Sequence, residues 1–258
     1  MTTSSAPVTS AVPADSPPPN RYASSPARPR VILWWGIGLL AGVALIGLII
    51  ALFGGAHGGT PPWQAIDQWW RDVIGGRPGD ELLLVSQAFD WLGHAPGAFA
   101  PLLVPMAVLL VLRHWRSALY VLSSYILMSL LTQGVKKLVG RARPLDPLVD
   151  AGLLDFGSFP SGHAATIGML LIVVAAVVTP SLWRKLWWVV GGLFVAGMLW
   201  QRIMVGAHWA SDAVAGAAVG AAAALIAWYL FYPAIRRDFD RSRSVAAADA
   251  GSMSIAST

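Results

Sequence analysis

The sequence predicts an all-α, polytopic membrane protein with six transmembrane helices. Hydrophobic residues make up 56% of the chain and charged residues only 12%. The mean hydropathy is +0.61, and six apolar runs recur along the chain, a pattern outside the range of soluble domains. Cysteine is absent, which excludes a disulfide framework, thiolate catalysis and thiolate metal sites. The formal charge of +5 would suggest nucleic acid in a soluble chain. Here Lys and Arg gather beside apolar segments, the pattern of a topology signal and of headgroup contact, so no nucleic-acid partner is expected.

Residues 1–30 consist largely of Ser, Thr, Ala and Pro without an apolar period. They bury too little surface to offset the entropy of ordering, and a disordered cytoplasmic tail is expected. The first apolar run starts too late for a cleavable signal peptide, and over residues 31–53 it meets the roughly 20 residues needed for one crossing. Five more runs follow at about 97–112, 117–135, 163–178, 186–205 and 209–232. Pro101 and Pro105 leave the start of the second run uncertain and favour a kink. Residues 236–258 are expected to form a second disordered cytoplasmic tail.

Six crossings put both termini on one side. Arg21, Arg28 and Arg30 precede the first run, Arg113 and Arg116 lie between the second and third, Arg184 and Lys185 between the fourth and fifth, and Arg236, Arg237, Arg241 and Arg243 after the sixth. Short cytoplasmic loops collect such residues, so this side is assigned as cytoplasmic. The basic group left on the outer side, Lys136, Lys137, Arg141 and Arg143 with Arg202 at a similar level, breaks the rule and suggests anion binding.

The outer loop 54–96 holds Trp63, Ile66, Trp69, Trp70, Val73 and Ile74 at helical spacing, with Gln64, Asp67 and Arg71 between them. This predicts an amphipathic helix, either lying in the headgroup layer or packed as an ordinary surface helix. His57, His94 and His114 read as loop or interface residues, the thirteen Trp mostly as interface anchors, and Asp146, Asp150 and Asp155 as loop solvation.

Three polar clusters interrupt the apolar pattern, all at outer span ends. In the first, Lys136 and Arg143 are seven residues apart and share a helix face if the helix continues to Pro144; two such cations can hold a phosphate dianion or simply snorkel to headgroups. In the second, Phe159-Pro160-Ser161-Gly162-His163, Ser161 or Gly162 can cap the next helix. Its first-turn N–H groups then favour an anion beside His163. In the third, His208 and Asp212 are four apart, so on a helix the carboxylate can accept a hydrogen bond from one ring nitrogen and leave the other free to attack. Arg202 adds a bidentate donor. Ionisable groups near a bilayer are functional by default.

Read as K-x6-R-P at 136–144, P-S-G-H at 160–163 and R-x5-H-x3-D at 202–212, the chain resembles the type 2 phosphatidic acid phosphatase (PAP2) family, in its membrane lipid phosphatase branch. The family shares its site with vanadium haloperoxidases and bacterial acid phosphatases. The likeness covers roughly residues 117–232 and implies a haloperoxidase-like helical core within a phosphatase domain at 31–235. Gln201 stands where the family usually has Ser. The resemblance implies that Lys136, Arg143 and Arg202 bind phosphate oxygens with the Ser161 hydroxyl and the Gly162 amide. It implies further that His208 attacks phosphorus, Asp212 orients His208, and His163 protonates the leaving oxygen and later helps activate water. No metal and no cofactor are required.

The expected activity is hydrolysis of a lipid phosphate monoester or pyrophosphate through a phosphohistidine at the extracytoplasmic face of the cell membrane. Undecaprenyl pyrophosphate, phosphatidic acid and phosphatidylglycerol phosphate are the candidate substrates. The alternative is an anionic-lipid transporter or flippase using the same cations, but a transporter should carry its polar groups near the bilayer midplane rather than at one face.

Overall fold

The computed structural model of the chain describes residues 27–54, 60–76, 79–93, 97–144, 157–178 and 182–256. Most of the expected N-terminal tail, together with His57, His94, Asp146, Asp150 and Asp155, lies outside the described residues.

The described residues form α-helices and one short 3-10 turn, with no strand among them. In order they are α1 (Arg30–Gly54), α2 (Gln64–Ile74), α3 (Asp80–Trp91), a 3-10 turn (Gly97–Phe99), α4 (Ala100–Val111), α5 (Trp115–Val139), α6 (Gly162–Val177), α7 (Leu182–Met204) and α8 (Ala210–Ala256). Four are long and apolar enough to cross a membrane: α1, α5, α7 and the Ala210–Ser242 part of α8. The chain is thus a multi-pass membrane protein. The other two expected spans are shorter apolar helices, Gly97–Val111 and Gly162–Val177. At 1.5 Å per residue, α6 extends about 24 Å, against a hydrocarbon layer of about 30 Å. Its length is set by Ser161, which caps its start, and by Val178, whose extended backbone ends it.

The all-round apolar character of α6 is explained by its place. It packs chiefly on α8 and also on α7, α5 and α4, and ten of its sixteen residues are buried, as expected of a helix without a polar face. Its contact with α8 is unusually close. A Cβ on Gly220 would overlap the Ala165 carbonyl, and one on Gly216 would overlap the Ser161 carbonyl. Small residues let two helix backbones meet where apolar solvent gives no hydrophobic driving force. The outward faces of α1, α4 and α7 instead show large apolar side chains such as Trp34, Leu45, Val104 and Leu193, the surface a lipid-facing bundle requires.

At the end of the bundle opposite the polar clusters, the expected C-terminal tail is corrected. α8 continues through residues 236–256 as helix. Polar composition hid the anchor: buried Asp238 accepts hydrogen bonds from Ser117 N (2.9 Å), Ser117 Oγ (3.1 Å) and Arg116 Nη1 (3.1 Å). The His114 ring lies 2.7 Å from Ser242 Oγ. Asp238 thereby satisfies one of the unpaired amides that every helix start presents, here that of α5. Pro233 sits inside α8 without ending it.

Candidate active site

The first cluster reaches the site by a route other than a continuous helix. α5 ends at Val139, because Gly140 takes a left-handed conformation (φ 57°) with its N–H bonded to Lys136 O, the usual glycine stop. The expectation that one helix face carries both Lys136 and Arg143 is therefore wrong. Lys136 stands on the last turn and gives its Nζ to Gly157 O at 2.8 Å. Arg143 comes from the non-helical stretch after the stop, and its Nη1 donates to Ala207 O at 2.6 Å. The segments at 141 and 158 are pinned together by Ser158 N donating to Arg141 O at 2.7 Å.

At the second cluster, Ser161 is the N-cap of α6 and its hydroxyl accepts from Ala164 N. Gly162 and His163 open the helix, so the first-turn amides and the positive end of its dipole face the polar clusters. Gly93, from the loop after α3, presses on the His163 ring so closely that a Cβ there would overlap it.

His208 lies in the turn between α7 and α8, outside the spans. Its Nδ1 is 2.7 Å from Ser158 O, a geometry in which Nδ1–H donates to the carbonyl and Nε2 keeps its lone pair. Arg143 Nη1 lies 3.4 Å from that Nε2. The direct His208–Asp212 bond expected from four-residue spacing is a second correction. α8 begins only at Ala210, so the two residues do not ride on one helix face. Asp212 instead accepts from Trp209 N at 3.0 Å, reaching back to the residue before its own helix as in a capping box. It also accepts from Ser158 Oγ and from Arg141 Nη1, the latter at 2.5 Å. It touches the two residues that flank and hold the ring rather than the ring itself.

Electrostatics follow from this enclosure. Burial, and then the positive charges of Lys136, Arg143, Arg202 and His163, push the His208 imidazole well below the ordinary histidine range. The ring is thus neutral at physiological pH and its Nε2 is nucleophilic. Arg202, on the last turn of α7, is buried and donates to Gln201 Oε1 and to Asp90 Oδ1. Gln201 Nε2 also lies 3.4 Å from Asp90 Oδ1. Gln201 and Asp90 therefore hold Arg202 in place together.

Four participants escaped the sequence reading. α3 was not foreseen, and Asp90 on it reaches Arg202. Arg141 was seen only as one of the basic group, yet it is the most connected side chain here: Nη1 donates to Asp212 and to Ser211 Oγ (2.8 Å), and Nη2 to Gln64 Oε1 (2.9 Å) and Asp67 Oδ2 (2.8 Å). Asp67, on α2, also accepts from Ser211 N (2.8 Å) and Ser211 Oγ (2.6 Å). The polar stripe of α2 thus turns inward while Ile66 and Val73 (61% exposed each) and Trp69 (55%) turn out, the reverse of an ordinary surface helix. Ser158 carried no signal, since its backbone carbonyl does the holding. Only the intervening Asp67 and Gln64 between apolar positions could have pointed to α2.

A buried, neutral imidazole whose Nε2 carries the lone pair, surrounded by Lys136, Arg143, Arg202 and His163 beside a helix N-terminus, can attack an electrophile that carries dispersed negative charge. A phosphoryl group has that character.

Known proteins resemble the chain in the same region. The PAP2 superfamily profile matches residues 115–236. The lipid A 1-phosphatase of Rhizobium johnstonii (strain DSM 114642 / LMG 32736 / 3841) is 34% identical over 124 residues, 43% of this chain and 47% of the relative. That of Rhizobium etli (strain ATCC 51251 / DSM 11541 / JCM 21823 / NBRC 15573 / CFN 42) is 34% identical over 113 residues, 39% and 44% respectively. The chain spans about half the length of the curated relatives it matches. Among solved structures, a transmembrane PAP2 type phosphatidylglycerolphosphate phosphatase from Bacillus subtilis shares the fold, with a TM-score of 0.61, 19% identity, and coverage of 81% of this chain and 97% of that one.

Proposed function

We propose that the chain, whose residues 115–236 match the PAP2 superfamily profile, is a membrane lipid phosphatase working through a phosphohistidine on His208. The observation that carries this reading is a neutral imidazole whose Nδ1 is occupied by Ser158 O, which leaves Nε2 as the lone-pair nitrogen, facing Arg143 Nη1 at 3.4 Å. The Nε2 lone pair attacks phosphorus and the bond to the lipid oxygen breaks. His163 gives that oxygen a proton, so the alcohol, or the shorter phosphate of a pyrophosphate, departs neutralised. His163 then takes a proton from water as the oxygen attacks the phosphohistidine. The P–N bond breaks, inorganic phosphate leaves and His208 is restored. Splitting one displacement into two lowers each barrier. Lys136, Arg143, Arg202, the Ser161 hydroxyl and the Gly162 amide bind the equatorial oxygens, where a single well-placed donor is worth on the order of 3 kcal/mol in the transition state.

In this reading α4 and α6 complete six crossings, both termini are cytoplasmic, and the site opens at the outer leaflet with α2 in the headgroup layer. The pattern of basic residues supports that orientation, as do the exposed Ile66, Trp69 and Val73. The test is phosphate release by purified protein from phosphatidic acid, phosphatidylglycerol phosphate, undecaprenyl pyrophosphate and lipid A 1-phosphate, comparing the parent with His208→Ala. Turnover that survives His208→Ala unchanged removes the mechanism, and a preference within the panel names the lipid.

A further inference from the structure

Asp67 and Asp212 sit on helices far apart in sequence, yet one arginine joins them. Asp67 is 2% exposed, Arg141 2% and Asp212 0%, and the guanidinium spans both carboxylates at 2.8 and 2.5 Å. Ser211 closes the circuit, with its N–H and hydroxyl both donated to Asp67 and its oxygen accepting from Arg141 and from Trp63 Nε1 at 3.3 Å. Buried charge is costly unless paired and fully hydrogen-bonded. Without Asp67, Arg141 would bring a full positive charge to a water-poor site with only Asp212 to balance it. Each of these donors would also lose its acceptor.

The consequence runs toward the reacting atoms. Asp212 holds Ser158 Oγ and Trp209 N, and the Ser158 carbonyl holds His208 Nδ1. Resting on the phosphatase reading, we propose that Asp67 is a positioning residue. Through Arg141 and Ser211 it fixes where Asp212 and the Ser158–His208 pair sit, so α2 is a working part of the active centre rather than a loop ornament. Asp67 accepts from three groups with two oxygens. Asn, with a single oxygen, must turn its NH2 toward a donor, whereas Glu keeps both acceptors and the charge.

The experiment uses full-length protein in lipid nanodiscs and compares the parent, Asp67→Asn and Asp67→Glu on a turned-over lipid phosphate. Two inhibitors accompany it: orthovanadate, which mimics the five-coordinate transition state on Nε2, and inorganic phosphate, which only occupies the cations. A displaced His208 predicts that kcat of Asp67→Asn falls about 10- to 100-fold and that vanadate inhibition weakens in parallel, while phosphate inhibition stays within about twofold of the parent. Asp67→Glu should recover most of both losses. Unchanged kcat in Asp67→Asn overturns the proposal. So does a kcat loss with vanadate inhibition unchanged, which means only a smaller folded fraction. A parent without turnover on any lipid phosphate removes the phosphatase reading itself, and this inference with it.

Discussion

Arg143 Nη1 lies 3.4 Å from His208 Nε2, so a guanidinium stands directly against the ring nitrogen that the proposed mechanism makes the nucleophile. The ring cannot be protonated beside that guanidinium without repulsion.

The pH profile follows from this arrangement. Burial and the surrounding cations keep His208 well below the ordinary histidine range. A lowered value means the neutral, nucleophilic ring persists as pH falls. We predict that kcat/KM, which reports the free enzyme, keeps its His208 limb below the free-histidine value of about 6.5. A limb at or above that value contradicts the enclosure. Arg143→Ala should shift the limb upward, because one repelling charge is gone.

Arg143→Ala should also lower kcat by about 10²- to 10³-fold, the usual cost of one transition-state donor. Arg143→Lys should recover only part, since an ammonium lacks the planar fork that can hold Ala207 O and a phosphate oxygen together. Steady-state kinetics on matched preparations measure this.

Asp90 pairs with Arg202, and in the proposed mechanism it competes with phosphate for that guanidinium. Its side chain is 45% exposed, so the pair is worth little. Asp90→Asn should tighten inhibition by inorganic phosphate by about two- to fivefold, read as a lower inhibition constant. Weaker inhibition would mean that Asp90 assists binding.

Asp238→Ala should destabilise the fold while sparing chemistry at the other end of the bundle. It leaves the Ser117 amide and hydroxyl without their acceptor, a cost of about 1–3 kcal/mol. Thermal unfolding in detergent should show a lower midpoint with kcat and KM unchanged.

The six apolar runs located every long helix to within a few residues, except at the far end of α8, because bilayer thickness imposes a length that composition reveals. The three motifs marked the residues now found around His208, because each falls at a helix end where a polar group stands out in an apolar chain. What stayed hidden depends on distance in sequence. The acceptor for His208 Nδ1 is a backbone carbonyl fifty residues away, which no side-chain pattern encodes. The four-residue spacing of His208 and Asp212 misled because it presumed a helix that starts two residues later. Asp67 was visible only as one polar position on an amphipathic repeat. Its inward turn is a tertiary fact, set by Arg141.

The contact of α6 with α8 has a consequence for variation. His163 opens one of these helices and Asp212 lies in the first turn of the other, and Gly168, Gly216 and Gly220 between them leave no room for a methyl group. Any drift in either backbone would shift His163 relative to Asp212 and to the turn that carries His208. Tolerance to substitution should therefore be lopsided: nearly rigid along this seam, and permissive on the outer segments α2 and α3 except where Asp67 and Asp90 reach inward. On the phosphatase proposal, divergence toward new substrates has room to proceed at the rim of the site while the paired helices beneath it stay fixed.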